Sequence, residues 1–270
     1  MPNLLIAGCG YLGVALAQKA HARDPLATLW GLRRRAAELP PPLRPIVADL
    51  LDPDLSRHLP DAPVDWVVMM AAPGSRDEVA YRRTYVDGSR SLLAALRARG
   101  QAPRRLLFVS STAVYAEDAG GWVDEQTPTH PSHFRGQILL AAEALFGSCG
   151  WPACILRLSG IYGPGRRLGA HGPPLLPAVG AGAGADDPFT NRIHRDDAVG
   201  MILHLLQLAK PAPVYVGSDS EPARRSQVRA YLTDPGAAAT AAGPSATGKR
   251  CRNDAIRASG YILQHPSYRA

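Results

Sequence analysis

Three glycines near the beginning of the chain have the spacing of a phosphate-binding turn. Gly8, Gly10 and Gly13 in "LLIAGCGYLG" match G-x-G-x-x-G directly after an apolar run. In such a turn the first glycine bends the chain tightly, the second lets the backbone approach a pyrophosphate, and the third allows a helix to pack closely on a strand. The strand-to-helix context argues against a merely flexible loop. We therefore expect Gly8, Gly10, Tyr11, Leu12 and Gly13 to bind a dinucleotide.

The residues after the second apolar run bear on which dinucleotide binds. The segment "GLRRR" contains Arg33 and Arg34, and no Asp or Glu follows these arginines before Glu38. A carboxylate at this point binds the ribose hydroxyls of NAD, whereas arginine accommodates the 2′-phosphate of NADP. The pattern predicts NADP(H) rather than NAD(H). The alternative interpretation is a solvated basic turn.

Short apolar runs alternate with helical segments, which is typical of βαβ units around a parallel sheet. The predicted strands are residues 3–8, 27–32, 44–49, 65–71, 104–110, 153–159 and 213–218. The sequence therefore predicts an α/β Rossmann fold, a doubly wound parallel sheet with a small C-terminal substrate lobe. We expect a dinucleotide-binding domain over 1–160, to which strands at about 190–218 also contribute, and a smaller substrate lobe over 161–270. The segment 162–188 is rich in Gly and Pro and is expected to be mostly loop.

The composition argues against several classes of partner. The formal net charge is +7, but the arginines are spread in twos and threes, and aromatic residues make up only 6% of the chain. That pattern lacks the stacking platform of a nucleic-acid binder, so no nucleic acid is expected. No apolar stretch approaches the roughly 20 residues of a membrane span. The four cysteines form no CxxC pair, and we expect a cytoplasmic protein with reduced thiols and no membrane association.

Longer motifs make the chain resemble a known superfamily. The segments "FVSSTAVYA" (108–116), "LRLSGIYGPG" (156–165) and "NRIHRDDAV" (191–199) are similar to motifs of the extended short-chain dehydrogenases/reductases, in the same order. That superfamily contains sugar-nucleotide epimerases and dehydratases. The segments "SGIYGPGR", "NRIHRDD" and "PSYR" resemble more closely an atypical subgroup related to YeeZ-type proteins. The resemblance covers nearly the whole chain and implies a Rossmann domain with a smaller substrate lobe.

The resemblance also implies further contacts to the cofactor. The superfamily contacts adenine at the position that Asp49 occupies in "VADLLD", and a loop of small residues passes beside its cofactor. Carried over onto this chain, the additional cofactor-binding residues are Asp49, Leu50, Ala71, Ala72, Pro73 and Ser110.

The proton relay of the superfamily is missing from this chain. Its members carry a tyrosine four residues before a lysine, in the pattern Y-G-x-x-K-x-x-x-E. Aligning Gly136 and Glu143 with that pattern puts Arg135 in the tyrosine position and Leu139 in the lysine position, and shifting the register by one residue does not restore the pair. Arginine is a poor proton donor because its pKa exceeds about 12, but it can bind an anion or a developing oxyanion.

Other polar residues near the expected cleft are candidates for the remaining chemistry. Ser111 keeps the position that orients the substrate oxygen, Arg135 could bind an anionic group, and His194 could move the proton. The substrate contacts predicted beside these catalytic candidates are Thr112, Tyr162 and Arg192. Each assignment has a plainer alternative: a histidine hydrogen-bonded to backbone at a domain junction, a packing tyrosine, and an arginine paired with Asp196 or Asp197. Tyr85 replaces an asparagine of the superfamily and could offer a hydroxyl or crowd the pocket.

Two functions are compatible with these observations. The first is an NADP(H)-dependent oxidoreductase or epimerase of the short-chain type, acting on a small polar substrate of a sugar-like or anionic kind without the usual Tyr/Lys pair. The alternative is a non-catalytic NADP(H)-binding sensor or interaction protein. No metal is predicted, because no His, Cys, Asp or Glu cluster has ligand spacing. A homodimer is a further expectation, based on the apolar segments 89–100 and 137–146, although packing on the sheet would produce the same apolar faces.

Overall fold

The computed structural model of the chain describes residues 2–35, 39–166, 168, 187–234 and 247–269. The strands are β1 Leu4–Ala7, β2 Leu29–Arg33, β3 Arg44–Val47, β4 Trp66–Met69, β5 Arg105–Ser111, β6 Ala119–Val123, β7 Ala153–Leu158, β8 Gly160–Tyr162, β9 Phe189–Thr190, β10 Arg192–His194, β11 Val214–Gly217, β12 Ala223–Arg224 and β13 Gly248–Cys251. The helices are α1 Tyr11–Arg23, α2 Leu55–His58, α3 Glu78–Tyr81, α4 Gly88–Ala98, α5 Phe134–Gly147, α6 Arg195–Gln207, α7 Arg225–Thr233 and α8 Asp254–Ala258. A π-helical segment, Arg82–Asp87, joins α3 to α4, and a 3₁₀ turn, Thr112–Val114, follows β5.

The main sheet confirms the predicted doubly wound architecture. Among the described residues it has seven strands in the order β11-β7-β5-β4-β1-β2-β3, and every neighbouring pair is parallel. The chain first builds outward from β1 through β2 to β3, and then crosses to β4 on the other side of β1. Ligands of such sheets bind outside the carboxyl ends of the strands at this reversal.

The strands form where they do because their apolar runs are buried on both faces. Leu4, Leu5, Ile6 and Ala7 of β1 are all 0% exposed. A parallel sheet covered by helices on both sides needs such continuous apolar strands rather than alternating ones. One apolar layer packs α4 and α5 against the sheet, and the other packs α1 and α6. Burying each leucine-sized side chain contributes about 1.5–3 kcal/mol.

The apolar sides of α4 and α5 are used within the chain. Leu92 and Leu96 of α4 and Leu139 and Phe146 of α5 are buried in the layer that covers the sheet. Packing on the sheet was the alternative to dimer formation that the sequence left open for these two segments. The homodimer therefore stays a prediction that no observation in the structure requires.

The part of the chain after residue 160 contributes to the main sheet and to smaller ones. The strand β11 forms one edge of the main sheet, while β10 pairs with β8, β12 with β9, and β13 with β6. The boundary at residue 160 stays a prediction. Most of the segment 162–188, for which the sequence predicts loop, lies outside the described residues. Within the described ranges no helix has the length and apolar character to cross a membrane.

Helix α5 approaches the turn after β5 so closely that one position has no room for a side chain. A Cβ atom on Gly136 would lie 2.5 Å from the Ala113 carbonyl oxygen and 2.4 Å from the Pro131 Cβ. Gly147, at the other end of the same helix, has no atom within 4 Å of the corresponding position. Gly136 therefore sets the distance between α5 and the turn that follows β5.

We predict that Gly136→Ala lowers the free energy of unfolding by about 1–3 kcal/mol, because the new methyl group must displace backbone atoms. The matched control, Gly147→Ala, should leave stability unchanged or raise it by up to about 1 kcal/mol, since alanine is the better helix former. Urea unfolding of both variants measures the difference. Equal stabilities for the two variants would contradict the close approach.

Candidate functional site

A cleft of about 1140 Å³ opens at the carboxyl ends of the parallel strands. Residues at or just beyond the ends of six strands form its walls, together with part of the α3–α4 connection and Arg166. The lining includes residues 8–12, 32–35, 48–51, 70–72, 83–85, 109–112 and 158–161. Because β1 and β4 meet beneath it, the cleft lies at the reversal of the strand order.

The glycine-rich turn forms one wall of this cleft. Gly8 has a φ of +92°, and a Cβ atom there would lie 2.2 Å from the Ala71 backbone, so only glycine fits between the ends of β1 and β4. A Cβ atom on Gly13 would meet the Ile6 side chain at 3.1 Å, which shows how closely α1 packs on β1. No atom lies within 4 Å of the Cβ position of Gly10. The backbone at Gly10 is therefore open to a ligand.

The amino end of α1 faces the same space. Gly10 is its N-cap residue, no side chain caps the helix, and its first turn contains no acidic residue. The first N–H groups of a helix lack partners within the helix and carry a partial positive charge, so this end attracts an anion. Together with the open backbone at Gly10, it forms a site that suits a pyrophosphate.

Basic residues line the part of the cleft beyond β2 and β3. Arg33, Arg34 and Arg35 all belong to the lining, and Arg33 Nη1 donates to the Cys9 carbonyl oxygen at 3.4 Å. Asp49 lies on the same part of the cleft, where its Oδ1 accepts a hydrogen bond from the Leu51 N–H at 2.9 Å. Among the described residues the lining holds five arginines and one carboxylate, so the cleft favours anionic ligands.

The end of β5 brings a row of hydroxyl groups to the floor of the cleft. Ser111 Oγ accepts the Ala113 N–H at 3.2 Å and caps the 3₁₀ turn. Its own proton remains available to donate, since a hydroxyl has one donor and two acceptor sites. Lys249 Nζ, from β13, donates to the carbonyl oxygens of Thr112 at 3.3 Å and Tyr115 at 2.6 Å. These bonds hold the turn from the C-terminal side of the chain.

A buried ion pair lies directly behind this turn. Arg157 Nη2 donates to Glu143 Oε2 at 2.7 Å and Arg157 Nε to Glu143 Oε1 at 3.1 Å. The Ser110 hydroxyl donates to the same Oε1 at 2.6 Å, and Arg157 Nη1 donates to the Tyr115 hydroxyl at 3.0 Å. Burial raises the pKa of Tyr115 to about 12. The network ties α5, β7 and the two ends of the 3₁₀ turn together.

The beginning of α5 does not bring Arg135, the predicted ligand of an anionic group, into the described lining of the cleft. The Arg135 guanidinium lies over the rings of Tyr81 and Phe134, at 5.7 and 5.6 Å from their centroids. Arg135 is not among the described residues that line the cleft. Leu139, in the lysine position of the superfamily pattern, is 3% exposed in the core. The catalytic role of Arg135 stays a prediction that this placement does not favour.

His194, Tyr162 and Arg192 also lie outside the described lining of the cleft. His194 Nδ1 accepts the Asp196 N–H at 3.3 Å and caps α6, and burial lowers the pKa of its imidazole. The Tyr162 hydroxyl donates to the Ser267 carbonyl oxygen at 3.2 Å, and Arg192 Nη2 donates to Thr190 Oγ1 at 2.8 Å. All three side chains have structural partners, and their assignments to catalysis and substrate binding stay predictions.

His194 also belongs to a group of three metal-ligating side chains that the sequence does not reveal. Ligand atoms of His194, Asp196 and His265 lie within 4.8 Å of one another. The two imidazole centroids are 3.7 Å apart with their ring planes inclined at 41°, and the Asp196 carboxylate is paired with the Arg195 guanidinium at 3.0 Å. Because Asp196 already has a cationic partner, its position is explained without an ion. We assign no ion to this group.

Most residues predicted to contact the cofactor converge on the cleft. Those that line it are Gly8, Gly10, Tyr11, Leu12, Arg33, Arg34, Asp49, Leu50, Ala71, Ala72 and Ser110, with Ser111 and Thr112 beside them. Gly13 lies behind the turn as a packing residue. Pro73 is not among the described lining residues. Whether these residues contact a cofactor stays a prediction.

The cleft also contains Arg83, Thr84 and Arg166, for which the sequence predicted no role, and Tyr85, which the sequence placed at the pocket. Arg83, Thr84 and Tyr85 enter from the π-helical segment, and Arg166 enters from the turn after β8. Burial raises the pKa of Tyr85 to about 12, so its hydroxyl stays protonated at neutral pH. A π-helix has no simple sequence signature. The only signal for Tyr85 was its position in place of a family asparagine.

Comparisons with known proteins all indicate the same family. A model of the NAD dependent epimerase/dehydratase family matches residues 4–216. Protein YeeZ of Escherichia coli strain K12 is 37% identical over 122 residues, which are 44% of this chain and 42% of YeeZ. The match therefore spans less than half the length of that relative.

Solved structures with the same architecture cover nearly the whole chain. A protein from Methylobacillus flagellatus, provisionally described as an NAD-dependent epimerase/dehydratase, is 33% identical with a TM-score of 0.76, over 99% of this chain and 94% of that one. MoeE5, solved in complex with UDP-glucose and NAD, has a TM-score of 0.75 at 22% identity, over 99% of this chain and 95% of its own. At 22% identity, the similarity to MoeE5 shows a shared fold and nothing more.

We predict that Glu143→Gln lowers the free energy of unfolding by about 3–5 kcal/mol, because it leaves the buried Arg157 guanidinium without its counterion. Urea unfolding measures this loss. The double variant Glu143→Leu with Arg157→Met should recover most of the stability, since it removes both charges from the interior. A single variant as stable as the unaltered protein would show that the pair does not hold this region together.

Proposed function

The chain belongs to the NAD-dependent epimerase/dehydratase family, and we propose that it binds an NAD(P) cofactor in the cleft and uses it in oxidoreductase or epimerase chemistry. The proposal rests on one observation: the accessible Gly10 backbone and the uncapped amino end of α1 lie together at the reversal of the strand order. This is the arrangement in which a doubly wound sheet holds a dinucleotide.

The described residues fit such a cofactor along the length of the cleft. The turn 8–12 would hold the pyrophosphate, Asp49 and Leu50 would lie beside the adenine, and Ala71 and Ala72 leave room for the chain of the dinucleotide to pass. The Cys9 thiol is not a nucleophile toward a bound cofactor, because burial raises its pKa to about 12 and keeps it protonated. When bound, NAD(P) accepts or donates a hydride.

Arg33 and Arg34 support a preference for NADP(H) within this cofactor class. Both line the cleft at the end of β2, where a 2′-phosphate would lie. MoeE5 was solved with NAD, but it shares only the fold with this chain. The selectivity therefore depends on these two side chains, through charge-assisted hydrogen bonds to the phosphate.

We predict that Arg33→Ala with Arg34→Ala weakens NADPH binding by about 100-fold or more, which corresponds to two lost charge-assisted bonds. NADH binding should change by less than about threefold, because NADH lacks the 2′-phosphate. Fluorescence titration with each reduced cofactor measures both affinities. Equal losses for the two cofactors would contradict a 2′-phosphate site, and tighter NADH binding by the unaltered protein would assign it to NAD.

The hydroxyl groups at the end of β5 are the best candidates for orienting a substrate. Among the described residues the Ser111 hydroxyl acts only as an acceptor, so its proton can be donated to a substrate. The neighbouring lining residues Arg83, Thr84 and Tyr85 add donors around the same space. An excess of arginine favours an anionic substrate. MoeE5 holds UDP-glucose, an anionic sugar nucleotide. We therefore propose a small polar substrate that carries negative charge, with Ser111 donating a hydrogen bond to its reacting oxygen.

One observation favours the non-catalytic alternative. Neither Arg135, which packs on aromatic rings, nor the buried Leu139 restores the Tyr/Lys pair of the superfamily. A sensor would need only the cofactor part of the cleft. Binding and turnover therefore have to be measured separately.

We predict that Ser111→Ala lowers the rate at which a panel of UDP-sugars and small carbonyl compounds exchanges hydride with the bound cofactor, by about 100-fold, the usual loss for a donor to a developing oxyanion. The NADPH affinity should stay near that of the unaltered protein. Absorbance at the reduced-nicotinamide band follows the reaction. An undiminished rate would remove Ser111 from the mechanism, and tight NADPH binding without turnover of any panel member would favour the sensor.

A further inference from the structure

A short turn after β8 is fastened directly to the glycine-rich loop. Gly163 and Arg166 exchange backbone hydrogen bonds, at 3.0 Å from the Gly163 N–H and 2.9 Å from the Arg166 N–H. The Tyr11 hydroxyl donates to the Pro164 carbonyl oxygen inside this turn at 2.9 Å. Tyr11 is the first residue of α1. The turn is therefore positioned by the helix whose amino end faces the cleft.

This arrangement places two arginines close to one tyrosine ring. The guanidinium carbons of Arg166 and Arg195 lie 5.9 and 5.5 Å from the centroid of Tyr11. Arg195 is neutralised, because its Nε donates to Asp196 Oδ1 at 3.0 Å. Arg166 has no carboxylate partner among the described residues, and its buried Nε makes no hydrogen bond there. Both arginines thus contact the Tyr11 ring, but among the described residues only Arg195 has a carboxylate partner.

Only one of these arginines reaches the ligand space. Arg166 lines the cleft, whereas Arg195 is not among the described residues that do so. Burial lowers the pKa of the Arg166 guanidinium from its ordinary value, but an arginine remains charged at neutral pH. A partly desolvated cation without a counterion is costly unless an anion joins it. The uncapped amino end of α1 lies beside it and needs the same kind of partner.

We propose that Arg166 and the amino end of α1 together form a diphosphate clamp, with Arg166 binding phosphate oxygens beside the glycine-rich turn. The inference deepens the proposed function and rests on it. A dinucleotide contains a diphosphate at its centre, and a nucleoside-diphosphate substrate contains another. The planar guanidinium suits two phosphate oxygens at once, and the Tyr11 bond to Pro164 holds it within reach of them.

Binding of ADP-ribose, which carries the diphosphate without the nicotinamide, tests the clamp by calorimetry. Arg166→Gln should weaken ADP-ribose binding by about tenfold or more, the loss expected for one bond between charged groups. Arg195→Gln is the matched control and should change the affinity by less than about threefold, because Arg195 is already paired. Arg166→Lys should restore part of the loss, since it returns the charge without the planar fork.

A second titration separates the two sources of diphosphate. UDP is added to protein saturated with ADP-ribose, so that only the substrate part of the cleft remains available. If Arg166→Gln loses affinity for UDP alone, the clamp binds the diphosphate of the substrate. If it loses affinity for ADP-ribose, the clamp binds the diphosphate of the cofactor. Unchanged affinities of Arg166→Gln for both probes would overturn the clamp while leaving cofactor binding intact. No binding of either probe to the unaltered protein would overturn the proposed function and the clamp together.

Discussion

The buried pair of Arg157 and Glu143 is the interaction on which the side of the cleft at the end of β5 depends. Two charges that are each less than 9% exposed are stable only if their hydrogen-bonding groups are satisfied. Here the carboxylate accepts from the guanidinium and from Ser110, and the guanidinium also reaches Tyr115. The pair thereby connects one strand, one helix and both ends of the turn that presents Ser111. A pair of this kind specifies one arrangement, since any other would leave a charge unpaired in the interior.

Two further links join the later part of the chain to this frame. Lys249 holds the turn after β5 through the carbonyl oxygens of Thr112 and Tyr115. Tyr11 holds the turn after β8 through the carbonyl oxygen of Pro164. Both links use side chains to bind backbone oxygens, which fixes the position of a loop without depending on its sequence. The cleft is therefore bounded on two sides by segments that are distant in the chain.

The two positions aligned with the Tyr/Lys pair of the superfamily, Arg135 and Leu139, lie outside the described lining of the cleft. At the beginning of α5 an arginine packs over aromatic rings, and the position of the lysine is occupied by a core leucine. The hydroxyl-bearing residues of the described lining lie at the end of β5, on the π-helical segment, at the start of α1 (Tyr11) and just after β7 (Ser159). A substrate oxygen would thus meet donors on the sheet side rather than on α5. The excess of arginine around the cleft adds a strong preference for negative charge.

The sequence by itself determined the architecture and the side of the cleft that the glycine-rich turn forms. Buried strands of a parallel sheet are continuous apolar runs, which can be recognised in the sequence. Gly8 can be recognised too, because its backbone conformation and its close contact with the chain at the end of β4 exclude every other residue. Only the tertiary structure decided that His194 caps a helix, that Tyr85 enters the cleft from a π-helix, and that Arg166 lies over Tyr11. These facts depend on side chains separated by up to 153 residues, as for Tyr11 and Pro164. Local periodicity shows whether a side chain is buried, but the partner it meets there is decided by how the elements pack.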